Sequence, residues 1–183
     1  MEIEKELQEA INLQQQGNFN EAIRVYEEIL KKTPNLAEVQ NNLGILLKSL
    51  NKLDEAEKIF TKTISLKPDF IHAHYHMGNT KYKLRKFDES EHCYKKAISL
   101  RPEYIGAFNN MGAAFKEKGN LEEAIEAYKK AISFKPEYAE AYNNMGVTLA
   151  DEGKLEEAFE VYHKSLTIKP DYAEAYFNMG NTL

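Results

Sequence analysis

All five prolines of this 183-residue chain, Pro34, Pro68, Pro102, Pro136 and Pro170, lie 34 residues apart. Five of its nine glycines keep the same step, at Gly44, Gly78, Gly112, Gly146 and Gly180. Every proline on one period means one supersecondary unit used again and again, and a period of this length signals a solenoid. The units run 3–36, 37–70, 71–104, 105–138 and 139–172, followed by a partial unit, 173–183.

Inside a unit the apolar rhythm is helical and restarts once. Ala107, Phe108, Met111, Ala114 and Phe115 follow the 3–4 spacing of one helix face. After Lys118-Gly119-Asn120 the rhythm resumes with Leu121, Ala124, Tyr128, Ala131 and Ile132. Each unit therefore reads as two helices of roughly 12–15 residues. Gly17, Asn51, Gly119 and Gly153 stand between the two helices, where a residue tolerant of positive φ is favoured. Lys/Arg-Pro ends the second helix, because proline lacks an amide hydrogen and turns its predecessor away from helix. Gly44, Gly112 and Gly146 are expected to cross against Ala22, Ala56, Ala124 and Ala158, small residue on small residue. Tyr26, Phe60, Tyr94, Tyr128 and Tyr162 share one repeat position and fill the remaining space.

Segments such as AEAYNNMGVTLADEGKLEEAFEVYHKSLTIKPDY carry an aromatic at position 4, Gly at 8, Ala at 20, an aromatic at 24 and Pro at 32. In this they resemble the tetratricopeptide repeat, over essentially the whole chain. The first unit departs, with Glu6 and Ala10 at positions 4 and 8, as suits an N-terminal cap whose outer face meets water. The third departs with Ser90 at the small-residue position and Arg85 at the turn, and is expected to be the loosest seam. The resemblance implies an all-α fold: a right-handed α-solenoid of about five helix-turn-helix units plus a truncated sixth helix, whose first helices line a concave groove. Repeat positions 2, 5, 6, 9, 12 and 13 would face that groove.

Asparagine recurs there although it is a poor helix former. Asn42, Asn110, Asn144 and Asn178 occupy position 6, with His76 in the same place, and Asn41, Asn109 and Asn143 occupy position 5. Tyr75 and Asn79 belong to the same stretch. An amide offers donor and acceptor together, so it can hold the backbone of an extended peptide without reading its side chains. Helices pack about 8–10 Å apart and a strand advances about 3.3 Å per residue, so one asparagine would grip roughly every third residue. The pattern is similar to the asparagine ladder in the superhelix of O-linked N-acetylglucosamine transferases. The alternative is that these amides bond one another or neighbouring backbone and stabilise the solenoid. Four such bonds contribute about 2–6 kcal/mol before association costs, so specificity must come from elsewhere. The basic clamp by which related repeats hold chaperone tails is absent: position 2 reads Glu4, Glu38, His72, Gly106, Glu140 and Glu174, and no position 5 is lysine. Micromolar binding of such tails is not expected.

Charge is uneven. Residues 71–104 carry 7 basic and 4 acidic groups (+3), whereas 1–36 carry 4 and 7 (−3) and 139–172 carry 3 and 7 (−4). The basic island is a solvated face or a contact for an acidic ligand. It also holds His72, His74 and His76. His72 and His76 are one turn apart and could share an opportunistic zinc or nickel ion, but no third ligand falls on their face. His74 is expected inside the helix crossing, and Cys93 in the core.

The net charge of −5 argues against a nucleic-acid or anionic-membrane binder. No apolar run approaches the ~18 residues of a membrane span, no leader pattern opens the chain, and the single cysteine fits a reducing, cytoplasmic setting. No phosphate loop, zinc-protease pattern, nucleophile elbow or carboxylate cleft appears, and no cofactor motif, so no enzyme is expected. Acidic pairs such as Glu122-Glu123 open second helices, where they complement the helix dipole. Three readings follow: a scaffold for a protein or peptide ligand; the N-terminal recruiting arm of a larger transferase; or self-assembly into a homo-oligomer through the orphan C-terminal helix, with Tyr176, Met179 and Leu183 on its apolar side.

Overall fold

The computed structural model describes residues 2–182; Leu183 lies outside them. The helices are α1 (Glu2–Gln15), α2 (Phe19–Lys32), α3 (Ala37–Ser49), α4 (Leu53–Leu66), α5 (Ile71–Lys83), α6 (Phe87–Leu100), α7 (Ile105–Glu117), α8 (Leu121–Phe134), α9 (Ala139–Asp151), α10 (Leu155–Ile168) and α11 (Ala173–Asn181). No strand occurs among the described residues. The chain divides into two compact units, 1–85 and 86–183, so the third repeat is shared, α5 to the first and α6 to the second. Within each unit every helix packs on the next in sequence, and first helices also touch: α3 on α5, α7 on α9, α9 on α11. This is the consecutive helix-pair packing of an α-solenoid, in which each repeat completes its core with its neighbours.

The turn inside each repeat is closed by backbone bonds. Asn120 N–H donates to Phe115 O at 3.0 Å and Gly119 N–H to Lys116 O at 2.9 Å. Gly119 has φ +81°, and Gly17 and Gly153 repeat the geometry at +82°. This is a C-terminal cap that needs a left-handed residue. Asn51 takes that conformation at φ 61° and Arg85 at 58°. None of the described helix starts has a side-chain cap; acidic residues such as Asp54, Glu55, Glu122 and Glu123 instead fill the first turns of second helices.

The Lys/Arg-Pro junction does more than stop a helix. The cation stacks over the aromatic three residues on: Lys67 on Phe70 at 5.2 Å, Arg101 on Tyr104 at 5.5 Å, Lys135 on Tyr138 at 5.1 Å and Lys169 on Tyr172 at 4.8 Å. Position 4 secures the same junction in two repeats, where Gln40 Nε2 donates to Pro34 O and His74 Nε2 to Pro68 O, both at 2.8 Å. His74 is buried, as its sequence position implied.

Each of three helical glycines lies directly under the ring at position 24. A Cβ added at Gly44 would meet Phe60 at 2.7 Å, one at Gly112 would meet Tyr128 at 2.7 Å, and one at Gly146 would meet Tyr162 at 2.6 Å. These rings are almost wholly buried, and removing such a side chain from water contributes about 1.5–3 kcal/mol. Glycine makes room for the ring of the second helix. Cys93 is half-buried and therefore not a core residue.

Candidate peptide-binding face

First helices carry the asparagines, and one residue of register separates two environments. Position 5 points inward: Asn41 is 6 % exposed, Asn109 1 % and Asn143 0 %. They were expected on the open face and are instead beneath it, where an amide without a hydrogen bond costs stability. Position 6 is half-buried at Asn42, His76, Asn110, Asn144 and Asn178, with its outer edge open. Tyr75 and Asn79 are half-buried beside His76, and His72 is exposed with its ring edge-on to Phe70.

The two columns are joined by amide rungs 35 residues apart. Asn144 Nδ2 donates to Asn109 Oδ1 at 3.2 Å, and Asn178 Nδ2 to Asn143 Oδ1 at 3.1 Å. Asn109 Nδ2 in turn donates to Asn110 Oδ1 at 3.2 Å and reaches Glu140 Oε1 at 3.5 Å. Each rung ties a first helix to the next one. It uses one amide hydrogen of the position-6 residue; an amide carries a second hydrogen and an acceptor oxygen. Sequence reasoning found the column but not this division of labour, which the 35-residue offset between Asn109 and Asn144 could have revealed.

In residues 1–85 the rung fails. The donor 35 residues after Asn41 is His76, and Asn41 Oδ1 is buried with no hydrogen-bond partner. His76 leans elsewhere: it stacks on Phe60 at 6.1 Å and its Nδ1 lies 3.4 Å from Lys48 Nζ. Burial, then the Lys48 charge and His72, push its pKa down to about 3. An ammonium only donates, so the neutral ring accepts at Nδ1 and keeps its hydrogen on Nε2.

Open dimples lie between successive first helices in a constant register. One of about 260 Å³ is lined by Ile11, Gln14, Tyr26, Asn42 and Ile45, and one of about 360 Å³ by Val147, Ala150, Tyr162, Asn178 and Asn181. Both have mixed walls suited to a small side chain, and the second lies beside the Asn143–Asn178 rung. Among the described residues no group of three or more His, Cys, Asp or Glu side chains converges, and no helix is long and apolar enough to cross a membrane.

Comparison of the sequence with curated proteins gives no match. Solved structures do resemble it. A crystal structure of MamA is 27 % identical over 90 % of this chain and 96 % of that one, with a TM-score of 0.82. MamA 41-end from Desulfovibrio magneticus RS-1 is 22 % identical over 93 % and 97 %, with a TM-score of 0.85. YrrB, described as a TPR protein with an unusual peptide-binding site, is 22 % identical over 97 % and 91 %, with a TM-score of 0.78. Models described as TPR repeat match residues 114–153 and 148–183, and models described as tetratricopeptide repeat match 13–78, 72–104 and 93–126. Together they leave only the first twelve residues unmatched, and the chain belongs to the tetratricopeptide repeat family.

Proposed function

We propose that the protein is an interaction scaffold that holds an extended peptide along its first helices, position-6 amides gripping the peptide backbone and position-5 amides holding them in place. The observation that carries this reading is the split between the columns. Asn109 and Asn143 are sealed inside and bonded to Asn144 and Asn178, which are only half-buried, and Asn178 lines an open dimple. A purely structural amide would sit wholly inside; these stop half way. The peptide-binding site named for YrrB supports the same reading. Binding through such rungs is weak per residue, about 0.5–1.5 kcal/mol each, so affinity accumulates along the face.

The test is capture from a lysate of the source cells with three proteins: wild type, a variant with Asn42, Asn110, Asn144 and Asn178 all changed to Ala, and a second-helix control with Glu123, Glu126 and Glu160 changed to Ala. Circular dichroism verifies folding of each. Partners lost only with the asparagine variant bear the reading out; partners kept by it and lost with the control contradict it. A second reading, self-association, rests on the exposed Tyr176 and Phe177 of α11, 52 % and 67 % accessible. Light scattering across a hundredfold concentration range showing a constant monomer mass removes it.

A further inference from the structure

One place on the first-helix face breaks two local rules at once. The register that pairs position 12 of a repeat with position 13 of the next gives Lys116 Nζ and Asp151 Oδ2 an ion pair of 3.1 Å in the second unit. The same 35-residue step in the first unit joins Lys48 to Lys83, two cations. Burial and the Lys83 charge both lower the Lys48 pKa. Neither lysine has a carboxylate within ion-pair reach among the described residues. Lys48 is half-buried and Lys83 exposed, whereas two buried or half-buried lysines are paired: Lys81 meets Glu57 at 2.8 Å and Lys118 meets Asp88 and Glu91 at 2.7 and 2.6 Å. Beside Lys48 stands His76, the residue that costs Asn41 its hydrogen bond. Rule-breaking that costs stability twice in one spot marks a site kept for another purpose.

The geometry points to a carboxylate station: Lys48, Lys83 and the Nε2 hydrogen of His76 take an acidic side chain or C-terminus of the peptide that lies on this face. This rests on the peptide-holding reading above. In the dimple register, Lys48, Phe60 and His76 stand where Gln14, Tyr26 and Asn42 line the open cavity of the preceding repeat pair. A ligand passing along the rungs thus meets a cationic wall here. A carboxylate supplies the anion that Asp151 supplies to Lys116, and its second oxygen accepts from the imidazole. The facing groups are Lys48 from α3 and His72, His76 and Lys83 from α5; the nearby acid Glu57 of α4 is engaged by Lys81. The chaperone-tail clamp is a different arrangement, since positions 2 and 5 carry no lysine in this chain.

The test uses the full chain and small probes, so it does not depend on finding a protein partner. Acetyl-Asp-Asp-amide, acetyl-Asn-Asn-amide, acetyl-Ala-Ala with a free carboxylate, and inorganic phosphate are titrated while the His76 ring and Lys48 methylene signals are followed by NMR. Saturable shifts at both residues are expected with one or both carboxylate probes and none with the Asn probe. Whichever carboxylate probe binds tighter names the source, side chain or C-terminus. Lys83→Asp rebuilds the Lys116–Asp151 pattern and should weaken that binding at least tenfold while circular dichroism stays unchanged. Absence of shifts, or shifts that survive Lys83→Asp, overturns the station. Tighter binding of phosphate than of either carboxylate overturns the assignment of the ligand. Failure here leaves the lysate test of the asparagine face intact, and the reverse holds.

Discussion

A single methyl group separates two kinds of helical glycine. A Cβ at Gly112 would press into the buried Tyr128 ring at 2.7 Å, whereas one at Gly180 would meet nothing within 4 Å. Gly112→Ala should therefore destabilise by about 1–3 kcal/mol through overpacking, and Gly180→Ala should be neutral or stabilise by up to about 1 kcal/mol. Urea titration of both variants measures the contrast. Arg85 holds a left-handed backbone at φ 58° that Gly119 adopts freely. Turn glycines were legible because left-handed backbone selects them from sequence alone. The ring over Gly112 was not, because its partner comes from sixteen positions away and the repeat offers an alanine as an equally plausible neighbour.

Between elements, the rungs decide how first helices are fastened. A double-mutant cycle with Asn109→Ala and Asn144→Ala should give a coupling of about 0.5–1.5 kcal/mol, since either change alone already breaks the bond. In the first unit His76 replaces the donor and is held neutral. Its folded pKa, about 3, lies below the ordinary value of 6.5, so the unfolded chain binds the extra proton between those limits. Its contribution is intact above pH 6.5 and drains away as pH falls toward 3. Wild type should lose about 2 kcal/mol more than His76→Asn on going from pH 7 to pH 5, measured by denaturant unfolding. The asparagine columns were visible in the sequence. Which column faces inward was not, because one residue of helix rotation decides it and neighbouring asparagines look alike.

On the scale of the whole chain, a repeat array has no central core, so stability is local and graded. α9 packs on α8, α10 and α11, while α11, among the described residues, packs on α9 and α10 and exposes Tyr176 and Phe177. Amide exchange should accordingly be faster in α11 than in α9. The architecture was legible from the prolines alone, because each marks the same junction of the same helix pair. The division into residues 1–85 and 86–183 was not legible, since a periodic sequence specifies each junction alike. The family's fold is typically a non-catalytic scaffold, and the proposed function puts the ligand on the first helices. The direct measurement is photo-crosslinking of captured partners with benzoylphenylalanine placed at Val147, which lines the dimple with Asn178, or at Glu160 on the exposed side of α10. The account predicts a crosslinked extended segment from position 147 and none from 160; crosslinks from 160 alone would contradict it.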